Sequence, residues 1–251
     1  MTKLLAANWK MNKSSVEASA TITEMATLLK KKNLEDCEIV IFPPFTALEA
    51  SALAIKKIPG ASLGGQNFFP ALEGAYTGEI SPKMLKDGGA TWVLTGHSER
   101  RHLCGESNAL VGQKTSFALR QGLKVIMCVG ETLEQRESGE LSEILDRQLQ
   151  QGLAGVPDAL SQETLAIAYE PVWAIGTGKT AQNSDIVDAH AILRGILKES
   201  FGPIAINIRI LYGGSVKPEN AGSILGLDNV DGVLVGGASL RAEDFVKIIN
   251  A

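Results

Sequence analysis

The sequence predicts an α/β chain folded as a single-domain (β/α)8 barrel over residues 1–251. Three observations carry that expectation. Short apolar runs alternate with longer amphipathic stretches, the alternation repeats eight times, and no Pro/Gly/Ser-rich linker or composition shift divides the 251 residues. Near-continuous apolar runs suit parallel strands covered on both faces, and eight strand–helix repeats in about 250 residues favour closure into a barrel. A doubly wound open sheet is the alternative.

Taken in order, the expected strands are LLAANWK (4–10), EIVIF (38–42), ASLGGQ (61–66), WVLTG (92–96), KVIMCV (124–129), LAIAYE (165–170), IRILYG (208–213) and GVLVG (232–236). The first helix is expected over Ser15 to Lys32. A Ser14-x-x-Glu17 capping box opens it, and Ile22, Met25, Leu28 and Leu29 share one face. Asn183 to Ser200 repeats the pattern with Ile186, Val187, His190, Leu193 and Leu197. Residues 106–121, 132–151, 218–225 and 241–250 behave alike. The third unit is weaker, with a long loop before a short helix near Pro82 to Lys86.

Lys plus Arg number 24 and Asp plus Glu 28, a net charge of -4. That balance does not argue for nucleic acid or a membrane surface, although a small anion can still find local positive charge. Three cysteines without a C-x-x-C suit a reducing compartment. The opening residues MTKLLAANWKMNKSS have no signal-peptide pattern, and no apolar run is long enough for a bilayer. The expectation is a soluble cytoplasmic protein.

In such a barrel, catalytic groups gather where strands run into the following loops. Those positions hold Asn8 and Lys10, Gln66 and Asn67, His97, Ser98 and Glu99, Cys128 and Glu131, and Glu170. The last two strands contribute Gly213, Gly214 and Ser215, then Gly236 and Gly237. The stretch AYEPVWAIGTGKT (168–180) ends like a nucleotide phosphate loop. The G-x-x-x-x-G-K-[ST] pattern, however, needs glycine where Trp173 stands. Gly176-x-Gly178-x-x-Ala181 resembles a dinucleotide fingerprint but sits away from the strand end and in the sixth unit. No nucleotide cofactor is expected. These glycines fit the hinges of a mobile loop, or a plain surface loop.

Glu170 is then either a structural ion-pair partner or a general base. Pro171 fixes the chain beyond it, and the apolar Val172–Ile175 could close over it and exclude water, which favours a base. With three histidines and no H-x-H or H-E-x-x-H, no metal site is expected. His190 reads as a core residue. His97 follows a strand and a glycine, and a helical turn starting at Ser98 would hold the ring neutral, able to donate to a carbonyl oxygen. His102 receives no role. Lys10 alternates with Asn8 across Trp9, so both are expected on one face. The pairs in YGGSV and VGGAS would let backbone N–H groups approach a phosphate.

NWKMN, GGQN, EGAYTGE, GHSERR, AYEPVWAIGTGKT, YGGSV and DGVLVGGAS, between positions 8 and 240, closely resemble the triosephosphate isomerase family in content and order. The resemblance implies a TIM barrel that interconverts dihydroxyacetone phosphate and D-glyceraldehyde 3-phosphate in glycolysis and gluconeogenesis, with no cofactor or metal. Glu170 resembles the general base, His97 the electrophile, Lys10 and Asn8 the substrate-binding pair, and Glu99 a buried supporting carboxylate. Gly176, Ser215, Gly236 and Gly237 resemble the phosphate-binding positions, and Pro171 to Thr180 the closing loop. EGAYTGE resembles a loop that enters the partner of a homodimer, with Thr77 at its tip. Gly65, Thr95 and Leu103-Cys104 depart from the family's usual residues. No role is implied for Cys104 or Cys128. Another phosphosugar barrel enzyme, or a non-catalytic sugar-phosphate-binding module, would share the phosphate grip but not need Lys10, His97 and Glu170 together.

Overall fold

Strands form where the chain is apolar on both faces. They are β1 (Lys3–Asn8), β2 (Cys37–Phe42), β3 (Ser62–Gly65), β4 (Ala90–Thr95), β5 (Lys124–Val129), β6 (Leu165–Tyr169), β7 (Arg209–Tyr212) and β8 (Gly232–Val235). The computed structural model describes residues 2–30, 34–156, 164–175 and 180–251. Each strand pairs with its neighbour in chain order, and β8 pairs in parallel with β1, so the sheet is a closed barrel rather than an open one.

Alternate residues of each strand face two different cores. Leu4, Ala6, Val40, Phe42, Ile126 and Leu234 belong to the cluster inside the barrel. Leu5, Ala7, Ile39, Ile41, Val125 and Val233 belong to the larger cluster shared with the helices. Large and small residues interlock: a Cβ on Gly64 would lie 2.1 Å from the Phe42 ring. At the closing ladder, a Cβ on Gly232 would lie 2.0 Å from the Leu4 carbonyl oxygen.

Helices cover the outside: α1 (Ser15–Leu29), α2 (Leu48–Ile55), α3 (Pro82–Asp87), α4 (Ser98–His102), α5 (Asn108–Arg120), α6 (Leu133–Glu137), α7 (Leu141–Gly152), α8 (Asn183–Phe201), α9 (Pro218–Leu225) and α10 (Ala242–Ile249). The capping box on α1 forms as expected, with Ser14 and Glu17 exchanging hydrogen bonds. Its buried stripe is Ala18, Ile22, Met25 and Leu29, whereas Leu28 is turned toward solvent. The stretch 132–151 is two helices, because Gly139 takes φ 75° between them. Periodicity did not single out α2, whose eight residues are too few to establish a helical repeat. The first strand stops at Asn8, two residues before Lys10.

His190 lies on the inner face of α8, fully buried, with its ring edge-on to Tyr169 at a centroid distance of 5.9 Å. Its Nδ1 is 2.9 Å from the Asn229 carbonyl, so Nδ1 carries the proton, and Nε2 has no partner among the described residues. Burial lowers its pKa from 6.5 to about 4. The unfolded chain therefore binds a proton in that interval that the folded chain refuses. Stability from this group is complete above pH 6.5 and declines as pH falls toward 4, by on the order of 3 kcal/mol. Urea unfolding of the wild type and His190→Gln across pH 7 to 4 should show a shallower decline in the variant. Parallel profiles would disprove the assignment.

Candidate active site

At the C-terminal ends of the strands the polar residues converge on a cavity of about 570 Å³. Asn8, Lys10, His97, Glu99 and Glu170 line one part, and Gly213, Gly214, Ser215, Gly236 and Gly237 line another. Glu170 follows β6 directly. Its backbone N–H donates to the Val129 carbonyl of β5 at 2.7 Å, which fixes where the side chain starts. A Cβ on Gly213 would sit 2.9 Å from Glu170 Cγ, so glycine leaves this carboxylate its space.

The Glu170 carboxylate is almost fully buried and, among the described residues, faces two nitrogen donors. His97 Nε2 lies 3.0 Å from Oε1, and the Ser98 backbone N–H donates to Oε2 at 2.9 Å. His97 caps α4, where its Nδ1 accepts the Glu99 backbone N–H at 3.2 Å. An Nδ1 that accepts carries no proton, so these heavy-atom partners place the proton of the neutral ring on Nε2. The ring therefore presents a donor, not an acceptor, to the cavity.

Lys10 reaches the cavity by a route that strand alternation does not describe. It lies beyond β1 in a left-handed conformation, φ 53°, which costs a lysine about 1–3 kcal/mol. Three bonds hold that turn. The Lys10 N–H donates to Asn8 Oδ1 at 3.0 Å, and Gln66 Nε2 donates to the carbonyls of Lys10 at 2.8 Å and Phe42 at 2.9 Å. The ammonium pairs with Glu99 Oε1 at 2.7 Å. Glu99 supports Lys10 as expected but is not buried: its side chain is 45% exposed, because the first turn of α4 stands at the rim.

Other strand-end polar residues are structural. Glu131 is buried outside the cavity lining, where it accepts from Trp173 Nε1 at 2.7 Å and Tyr169 Oη at 3.0 Å. Burial raises its pKa. It anchors the residues just after Glu170. Asn67 accepts from the Lys114 ammonium at 2.7 Å. Cys128 lies inside the barrel, where burial and then the charge of Glu170 push its thiol well above the ordinary range, so it is no nucleophile. His102 and Cys104 are exposed and do not line the cavity. Gln66 as the brace of Lys10, and the Ser98 backbone as a donor to Glu170, emerge only here. A strand-end position marks Gln66 in the sequence, but backbone donors leave no residue-type signal.

On the side expected to receive a phosphate, a Cβ on Gly237 would meet nothing within 4 Å among the described residues. Gly236 stands beside the Lys10 stem, 3.5 Å from Cε to an added Cβ. Gly176 lies outside the described residues, as do 177–179 of the expected closing loop.

A family model described as triosephosphate isomerase matches residues 3–251. The chain belongs to the triosephosphate isomerase family. It is 59% identical over 251 residues to a triosephosphate isomerase of Nitratidesulfovibrio vulgaris (strain DSM 19637 / Miyazaki F), covering all of both chains. A triosephosphate isomerase of Lawsonia intracellularis is 52% identical, with 100% of this chain and 98% of that one covered. The crystal structure of triosephosphate isomerase from Bartonella henselae superimposes with a TM-score of 0.88 at 40% identity, covering 100% of this chain and 98% of that one. The triosephosphate isomerase fold is thus shared from end to end, and the chain is an isomerase.

The hydrogen-bond pattern around His97 is directly measurable. Nitrogen-15 spectra at neutral pH should show Nδ1 bare and Nε2 protonated. A protonated Nδ1 would contradict the pattern, since Nδ1 would then face the Glu99 N–H donor to donor.

Proposed function

We propose that the chain interconverts dihydroxyacetone phosphate and D-glyceraldehyde 3-phosphate by proton transfer through an enediolate, and that Glu170 carries the proton. The observation that supports Glu170 is its placement. It is a buried carboxylate held by His97 Nε2–H and the Ser98 N–H at the wall of a cavity shared with the Lys10 ammonium. A substrate carbonyl oxygen takes the place of Glu170 Oε1 as acceptor of His97 Nε2–H. That frees the carboxylate to remove the proton from the adjacent carbon. His97 and Lys10 then stabilise negative charge on the enediolate oxygens, and Glu170 returns the proton to the neighbouring carbon. The carbonyl is itself the electron sink, so the step needs no metal or nucleotide. Asn8 and Lys10 bind the substrate body. Backbone at Gly176, Gly236 and Gly237, with Ser215, receives the phosphate.

Turnover of glyceraldehyde 3-phosphate by the purified protein, without added metal or nucleotide, tests the reaction. In that assay Glu170→Gln should lower kcat by ~10²–10⁴-fold with KM changed far less, because the base acts in the transition state. Glu170→Asp should also be slow, since the shorter side chain holds the carboxylate away from the carbon. Near-normal turnover in Glu170→Gln removes this residue from the mechanism.

We also propose a homodimer formed through the loop around Thr77. On that loop the Phe69 and Tyr76 rings pack with centroids 4.2 Å apart, while Leu72 and Tyr76 remain about half exposed. Apolar side chains on a projecting loop favour insertion into a second copy over contact with water. Sedimentation should give twice the monomer mass, and an active monomer would refute the assignment of Thr77. A cytoplasmic location belongs to the same proposal. It is supported by three free cysteines and is checked by cell fractionation. Among the described residues no helix is long and apolar enough to cross a membrane.

A further inference from the structure

Arg101 is a largely buried cation that the proton-transfer chemistry does not use. It sits in α4, four residues after His97, and its guanidinium binds three neutral acceptors. Nε donates to the Gly96 carbonyl at 2.7 Å, one terminal nitrogen to the Cys128 carbonyl at 3.0 Å, and the other to Asn108 Oδ1 at 2.5 Å. Among the described residues no carboxylate lies within ion-pair distance of it. Taking a guanidinium out of water for neutral partners is costly. Burial accordingly lowers its pKa, although an arginine stays charged at any working pH.

The acceptors explain what that cost supports. The Gly96 carbonyl belongs to the peptide that enters His97. The Cys128 carbonyl lies one residue before Val129, whose own carbonyl receives the Glu170 backbone N–H at 2.7 Å. Arg101 therefore fastens the turn carrying His97 and Ser98 to the strand that fixes the start of Glu170. Asn108, the first residue of α5, holds the guanidinium fork from the side. Gly96 is adapted to this arrangement: φ is 66°, and a Cβ there would lie 2.7 Å from an Arg101 nitrogen and 3.0 Å from the Cys128 oxygen.

We infer that Arg101 is a positioning residue for the isomerisation, fixing the His97–Ser98 turn against the end of β5 so that Nε2–H and the Ser98 N–H meet Glu170 in register. The inference rests on the assignment of Glu170 and His97 above. Lysine cannot replace Arg101, because an ammonium on a flexible stem cannot bridge two carbonyls and an amide in one plane. An error of about 1 Å between reacting groups is enough to cost ~10²-fold in rate.

The test is Arg101→Lys in the full-length protein. Two quantities are read: steady-state kinetics with glyceraldehyde 3-phosphate, and the nitrogen-15 signals of His97. The expected result is kcat lowered ~10- to 100-fold with KM within about threefold, together with broadened or mixed-tautomer His97 signals. A folded variant with wild-type kcat and an unchanged His97 pattern overturns the inference, even if its melting temperature falls. If Arg101→Lys does not fold, Asn108→Ala is read in the same way, since it removes only the lateral hold on the guanidinium. Lower kcat with an altered His97 pattern supports the inference, and wild-type values overturn it. Glu170→Gln, assayed alongside, separates the two levels. Activity surviving in that variant sinks the base assignment, and the His97 signals alone then decide on Arg101.

Discussion

The ladder between β8 and β1 turns a twisted parallel sheet into a ring, and the site depends on that ring. Parallel strands all end on the same side, so closure brings Asn8, His97, Glu170, Ser215 and Gly236 around one opening although they span most of the sequence. The ring closes tightly only because Gly232 leaves room for the Leu4 carbonyl. A side chain there would push β8 outward, and with it the glycine pair that follows the strand. The interior beneath is filled with apolar side chains, so the cavity has a floor rather than a channel.

The two ends of the barrel use charge differently. At the N-terminal end, Glu38 pairs with Arg209 at 2.7 Å and Lys124 at 3.4 Å, and both cations lie over the Trp92 ring at 5–6 Å. Two cations share one carboxylate there, the Trp92 ring face takes up part of the excess positive charge, and the cluster caps the core. At the C-terminal end, matching is provisional. Glu170 is satisfied by a neutral imidazole and a backbone N–H, both of which a substrate oxygen could engage instead. Lys10 pairs with a half-exposed Glu99, in high dielectric where such a pair is worth little. Exchange with a substrate oxygen is possible at both groups because each donor released would find a new acceptor, so no buried donor is left unsatisfied.

Rigidity around these exchangeable groups comes from backbone carbonyls. Gln66 spans the carbonyls of Lys10 and Phe42, and Arg101 spans those of Gly96 and Cys128. Each brace ties one strand end to its neighbour. The left-handed turn at Lys10 is stable only because Asn8 and Gln66 over-determine it. Glu131 does the same for the chain leaving β6, through Trp173 and Tyr169.

Strand count, the closed parallel barrel and the convergence of the candidate polar groups at one end of it were legible in the sequence. Apolar runs of four to six residues and the positions of Glu170, His97 and Lys10 just past strands are local signals, and the family resemblance implied the roles proposed for them. KVIMCV and the helix at 218–225 were legible to the residue because turn formers or Pro218 bound them. Tertiary structure decided what lies between elements. It exposed Leu28 and Glu99, split 132–151 at Gly139, and ended β1 before Lys10 so that a strained turn, not pleat alternation, aims the ammonium. It also decided that Glu131 and Cys128 are buried supports while Glu170, equally buried, borders the cavity. The physical reason is reach. Propensity and periodicity act over a few residues, whereas a carboxylate's role depends on which donors come within about 3 Å of it, here from a helix start 72 positions back in the chain and from the residue before it.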